Sequence, residues 1–121
     1  MITQLPGSSG ANIGFLIKGK LNDDDYKINL IPVMEEAIKA HETIHVLFKM
    51  EDFDGWTAQG AWDDFMCWPK FRSVGRIAFL VDENWHEFAT GIFKAFAAIS
   101  HIDVRFFQIN QMPEAWEWLK A

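Results

Sequence analysis

Five consecutive apolar residues, Ile77-Ala78-Phe79-Leu80-Val81, leave no side of a strand for water. Successive side chains of a strand point to opposite faces of the sheet, so a strand with one wet face must alternate. An unbroken apolar run predicts a strand in the middle of a sheet covered on both faces, as in parallel sheets flanked by helices. Other segments alternate. In residues 13–18, Ile13, Phe15 and Ile17 oppose Gly14, Leu16 and Lys18, and Gly19 closes the run. In residues 44–50, Ile44, Val46, Phe48 and Met50 oppose His45, Leu47 and Lys49. Residues 102–107 alternate again, and residues 1–5 supply a short edge strand before Pro6-Gly7-Ser8-Ser9-Gly10 breaks the chain.

Helical spacing fills the intervals. Residues 22–40 open with Asn22-Asp23-Asp24-Asp25, whose oxygens suit orphan N–H groups at a helix start. Tyr26, Leu30, Val33, Met34, Ala37 and Ile38 then share one face. Pro32 interrupts this pattern and predicts a kink, or a restart with Pro32 in a first turn. A second helix is expected over residues 57–71, with Ala58, Ala61, Trp62, Phe65 and Met66 on one stripe, and a third over residues 82–98 with Trp85, Phe88, Ile92, Phe93 and Phe96. Residues 114–121 make a last helix, with Ala115, Trp116 and Leu119 inward. Strands alternating with such helices imply βαβ crossovers. The expected architecture is a single α/β domain over residues 1–121, a four- to five-stranded mostly parallel mixed sheet covered by about four helices.

Composition limits the partners. Seventeen acidic against eleven basic residues give a formal charge of -6, which disfavours nucleic acid and anionic membrane surfaces. No apolar run reaches the ~20 residues of a membrane span, and the start has no basic segment followed by an apolar one, so a cytoplasmic protein is expected. Cys67 is the only cysteine, so no intramolecular disulfide forms and a cysteine-rich zinc site is excluded.

Catalytic and metal signatures are absent. Glu51, Asp52, Asp54, Asp63 and Asp64 do not have the alternation of a calcium loop, and they read as a solvated loop and a first helical turn. His41, His45, His86 and His101 are scattered, and no motif marks Ser100 or Cys67 as a nucleophile. No cofactor and no catalytic residue is expected. Lys70, Arg72 and Arg76 form one basic cluster, suited to a helix carboxyl end, an acidic partner or a lipid head group. Six Trp and eleven Phe exceed what one stripe per helix needs. Leftover apolar area marks an interface or an apolar ligand groove. Trp118, opposite Trp116 and Leu119, is the expected exposed ring.

Several strings in this order resemble a known family. They are Asp25-Tyr26 with Leu30-Ile31-Pro32, Asp52-Phe53-Asp54-Gly55-Trp56 with Trp62-Asp63-Asp64, Gly75-Arg76-Ile77-Ala78, and Glu114-Ala115-Trp116-Glu117-Trp118-Leu119. Together they resemble the bacterial anti-sigma-factor-antagonist-like (SpoIIAA-like) family, a branch of the STAS superfamily that also resembles the SEC14 lipid-binding fold. The resemblance implies a STAS-like fold. In the kinase-regulated members, a serine in a turn at the start of the second helix is phosphorylated. Here the corresponding turn over residues 54–60 has no serine, and Thr57, its only hydroxyl, reads as a helix cap ahead of a phosphorylation switch.

Two functions follow as expectations. One is a non-enzymatic domain binding an apolar or amphipathic lipid-like molecule between the second and third helices. Trp62, Phe65, Met66, Trp85, Phe88 and Ile92 would be its wall, and Lys70 or Arg72 the polar anchor. The other is a regulatory protein-interaction module acting through Asp54, Gly55, Trp56 and Thr57; an enzyme using loop carboxylates ranks third. A homodimer is expected, with Trp68 or Trp118 at its contact.

Overall fold

The computed structural model describes residues 2–8, 10–21, 25–56, 73–81 and 102–121, of which 19–21, 25–26 and 52–56 by their backbone. Its strands form one sheet in chain order: β1 (Ile2–Gln4), β2 (Asn12–Leu21), β3 (Ile44–Trp56), β4 (Val74–Val81) and β5 (Asp103–Gln108). β1 runs antiparallel to β2, and the other three pairings are parallel. The apolar run lies in β4, paired on both sides, with Phe79 and Leu80 buried as a strand covered on both faces requires. The middle of the sheet nevertheless belongs to β3. Its second face carries half-buried His45, which bonds the end of the covering helix, and half-buried Lys49, which meets Glu51.

Pro32 divides the first expected helix. Asp25–Leu30 forms a wide π-type turn, and helix α1 restarts at Ile31–His41 with Pro32 in its first turn. There the missing proline N–H costs nothing, because the first donors of a helix are unpaired anyway. Leu30 is the N-cap and makes no side-chain cap, so α1 starts well after the Asn22–Asp25 run expected to cap it, of which residues 22–24 lie outside the described residues. α1 buries Met34 and packs Val33, Ala37 and Ile38 on one face of the sheet. A short 3-10 turn, Ile109–Gln111, leads into α2 (Met112–Lys120), which buries Ala115 and Leu119 on the opposite face against Leu47, Ala78 and Leu80. These are the two α-helices of the described residues, where about four were expected. The segments 57–71 and 82–98 lie outside the described residues.

Gly14 sets how closely α2 approaches. A Cβ on Gly14 would stand 2.8 Å from the Trp116 indole, inside contact distance, so the ring lies directly on β2 backbone. At the far end of α1, the Thr43 N–H donates to the His41 carbonyl at 2.7 Å across Glu42, whose φ of 65 and ψ of -51 define a γ-turn of the rare hand.

On the α1 face, four phenylalanines stand side by side across four strands. Phe15, Phe48, Phe79 and Phe106 are direct register partners on β2, β3, β4 and β5. Their ring centroids are 6.0, 5.4 and 5.2 Å apart, with interplanar angles of 24, 23 and 17 degrees. Such stacked pairs add about 0.5–1.5 kcal/mol each beyond area burial. Phe48→Ala, losing two stacking partners at once, should cost about 3–5 kcal/mol in urea unfolding, and Phe106→Ala, at the half-buried end of the row, less. Glu42→Gly should act in the opposite sense, raising stability by about 1 kcal/mol in the same assay, because glycine enters positive φ without strain.

Candidate functional site

Four parallel strands end on one edge, at Leu21, Trp56, Val81 and Gln108. In open α/β sheets this carboxyl edge is where ligands and partners are met. β2 and β3 reach furthest into it, ending paired at Leu21 and Trp56. The run 51–56, expected as a solvated loop, continues as strand and pairs with β2, Lys20 opposite Gly55 and Leu21 opposite Trp56. Between the Lys18–Glu51 and Lys20–Gly55 pairs, β2 advances two residues and β3 four, a bulge that absorbs the Asp52–Asp54 segment. Gly19, expected to close β2, lies inside this irregular stretch with the strand running on. Strand pairing here overrides the low strand propensity of Asp and Gly.

The sheet face bearing α2 turns polar toward this edge. Glu51 lies between Lys18 and Lys49, its two oxygens each 3.8 Å from one ammonium. The Lys18 and Glu51 side chains are 47% and 39% exposed, so the pairs are screened and contribute little stability. They form a charged, solvent-facing rim.

Of the residues singled out from sequence, Asp54, Gly55 and Trp56 lie together at the end of β3. Thr57, Trp62, Phe65, Met66, Trp68, Lys70, Arg72, Trp85, Phe88 and Ile92 lie outside the described residues. Trp118 is not the free ring expected. It is half-buried, 6.1 Å from Phe107, with the guanidinium carbons of Arg76 and Arg105 each 5.6 Å from its ring centre. α2 rests on the face that carries Arg76, Arg105 and Phe107, and this places the ring among them.

Sequence reasoning missed a polar row at the opposite edge. Asn12, His45, Arg76 and Asp103 are register partners across β2 to β5. Arg76 donates to the Trp118 carbonyl at 2.8 Å, and His45 Nδ1 lies 2.7 Å from the Leu119 carbonyl, which places a proton on Nδ1. Two cross-strand neighbours thus bond carbonyls of the helix's last turn, where the Trp118 carbonyl also accepts the Ala121 N–H at 3.3 Å. Arg76 therefore complements a helix carboxyl end, one of the roles its cluster allowed, though the helix is the last one. Asn12 Oδ1 is buried and without a partner among the described residues. Only alignment of the strands in register reveals the row.

The model of the SpoIIAA-like family matches residues 12–120, from the start of β2 to the end of α2. The chain belongs to the SpoIIAA-like family. A crystal structure of an uncharacterized protein of the DUF3478 family with a SpoIIAA-like fold, from Shewanella loihica PV-4, is similar over 98% of this chain and 93% of that one. The two share 26% sequence identity and a TM-score of 0.70. None of the curated proteins compared with this SpoIIAA-like chain matches it. Among its described residues, no helix is long and apolar enough to cross a membrane.

The grip on α2 is open to direct measurement. Arg76→Ala removes a charged hydrogen bond and a ring contact, and should lower stability by about 1.5–3 kcal/mol in chemical unfolding. Arg76→Lys should recover only part of the loss, since an ammonium lacks the planar fork that both bonds the carbonyl and lies over the indole.

Proposed function

We propose that this SpoIIAA-like domain is a non-enzymatic regulatory module that engages a protein partner through the carboxyl edge of its sheet, at the end of β3. The supporting observation is the extension of β3 through Asp54, Gly55 and Trp56, which fixes that segment against β2 at the sheet rim. Thr57 follows directly in the sequence. The Lys18–Glu51–Lys49 cluster beside it supplies the polar rim typical of a non-obligate interface. Strand order supports a surface rather than a crevice. The strands follow chain order, so the sheet has no reversal of the kind that opens a ligand cleft in doubly wound folds. The non-enzymatic reading rests on the sequence, which pairs no nucleophile with a base.

The rival reading is an apolar or amphipathic ligand walled by Trp62, Phe65, Met66, Trp85, Phe88 and Ile92 and anchored by Lys70 or Arg72. It drew on the aromatic surplus. Phe15, Phe48, Phe79, Phe106, Phe107, Trp116 and Trp118 are now taken up in the two cores, which shrinks that surplus. A second copy of the chain is a candidate protein partner, and Trp118, lying among Arg76, Arg105 and Phe107, is a weaker apolar anchor for it than expected.

Crosslinking in cells, with the purified chain run in sedimentation equilibrium beside it, distinguishes these outcomes. A discrete crosslinked complex should form with the native chain and with Phe88→Asp, and should be lost with Trp56→Ala and weakened by Thr57→Asp. Complexes that persist in the Trp56 variant would sink the edge reading. Saturable quenching of Trp fluorescence by a fatty acid, abolished by Phe88→Asp, would transfer the function to the apolar ligand. A dimer mass lost in the Trp56 variant would identify the partner as a second copy.

A further inference from the structure

At the opposite edge from Asp54–Trp56, a cleft of about 290 Å³ opens between α1 and the β1–β2 connection. Val33, Glu36, Ala37 and Ala40, one helical stripe, form one wall, and Ser8 and Gly10 stand on the other. Ile13 lies at its base. Seven residues of β2 separate Ile13 from Lys20, so the cleft is roughly 23 Å from the carboxyl edge at ~3.3 Å per residue.

The Ser8 side of the cleft is tied to the sheet by hydrogen bonds. Ser8 Oγ donates to the Leu5 carbonyl at 2.8 Å and accepts from the Gly14 N–H at 2.9 Å, while the Leu5 N–H donates to the Gly14 carbonyl at 2.7 Å. Gly10, at φ +56, turns the connection beside the His41 ring. On the helix side, α1 stops two residues after Ala40 in the strained turn at Glu42. Backbone strain of this kind gathers at functional positions, where the surrounding structure holds it.

The chemistry of the lining selects one class of ligand. Ile13, Val33, Ala37 and Ala40 offer aliphatic contact suited to a methylene stem. Glu36 is the one charged residue of the lining, and among the described residues no cation pairs with it. The chain's charge of -6 repels anions and attracts cations. The volume lies at the lower limit of pockets that take small molecules. We propose that this cleft binds a small aliphatic amine, its stem along Ile13, Val33 and Ala37 and its ammonium on the Glu36 carboxylate. This site is independent of the partner edge proposed above.

Titration of the full chain with 1-aminohexane, followed by amide chemical shifts in 1H–15N NMR spectra, tests the inference. Saturable shifts should centre on Ser8, Gly10, Ile13 and Ala37, and hexanoate, with a stem of the same length and the opposite charge, should leave them in place. Glu36→Gln and Ala40→Leu both alter exposed positions. The first should weaken binding at least threefold, and the second should remove it by filling the cleft. Hexanoate acting as strongly as the amine, an unchanged Kd in Glu36→Gln, or shifts centred on residues 52–56 would each overturn the proposal.

Discussion

The stacked phenylalanine row fixes the alignment of the parallel sheet. Phe15, Phe48, Phe79 and Phe106 come from strands separated by long stretches of sequence, yet they meet as direct partners. A slip of one residue in any strand would turn its phenylalanine to the other face and bring a polar or small residue into the α1 core. The row therefore acts as a registration key whose error is costly at every strand. Because Phe48 and Phe79 each stack on two neighbours, the two inner strands are held from both sides, Phe15 and Phe106 end the row on β2 and β5, and β1 lies outside it.

The register that stacks the rings also composes the other face. With Phe15 opposite Phe48 and Phe79, Asn12 must stand opposite His45, and Arg76 beside both His45 and Asp103. That row meets the carboxyl end of α2, where His45 and Arg76 take the Leu119 and Trp118 carbonyls. Gly14, two residues past Asn12 and on the same face, leaves the space in which Trp116 lies. Seating of the last helix is thus a consequence of strand alignment together with its own sequence, which supplies Met112, Ala115, Leu119 and the two indoles.

Local signals were legible where one element decides its own fate. The apolar run of β4, the alternation of β2 and β3, the restart at Pro32 and the inward faces of α2 follow from period, proline chemistry and burial. The length of β3 was not legible, because Asp52, Asp54 and Gly55 disfavour strands and only pairing with β2 holds them extended. Nor was the fate of Trp118, whose helical position faces away from Leu119 but whose ring is met by Arg76 and Arg105 from other strands. The phenylalanine row was half visible. Each ring could be assigned to an inward face, whereas their mutual stacking required the register between strands, which no single segment encodes.

A sheet whose strands follow chain order separates its two ends chemically. At the carboxyl edge, β3 runs past β4 and stays paired with β2 to its last residue across a bulge, and lysines flank Glu51. The amino edge carries the α2 clasp on one face and, on the other, the cleft floored by Ile13. Among the described residues, the interior between them is filled by side chains packed on both faces. Among the described residues, β2 and β3 are the longest strands between the two ends, running from Asn12 and Ile44 at one edge to Leu21 and Trp56 at the other. The phenylalanine row crosses both strands between these ends, and tight packing there favours rigid transmission over local adjustment. An event at one edge that shifts the β2–β3 register would have to break the Phe15–Phe48 stack, which makes such a shift costly.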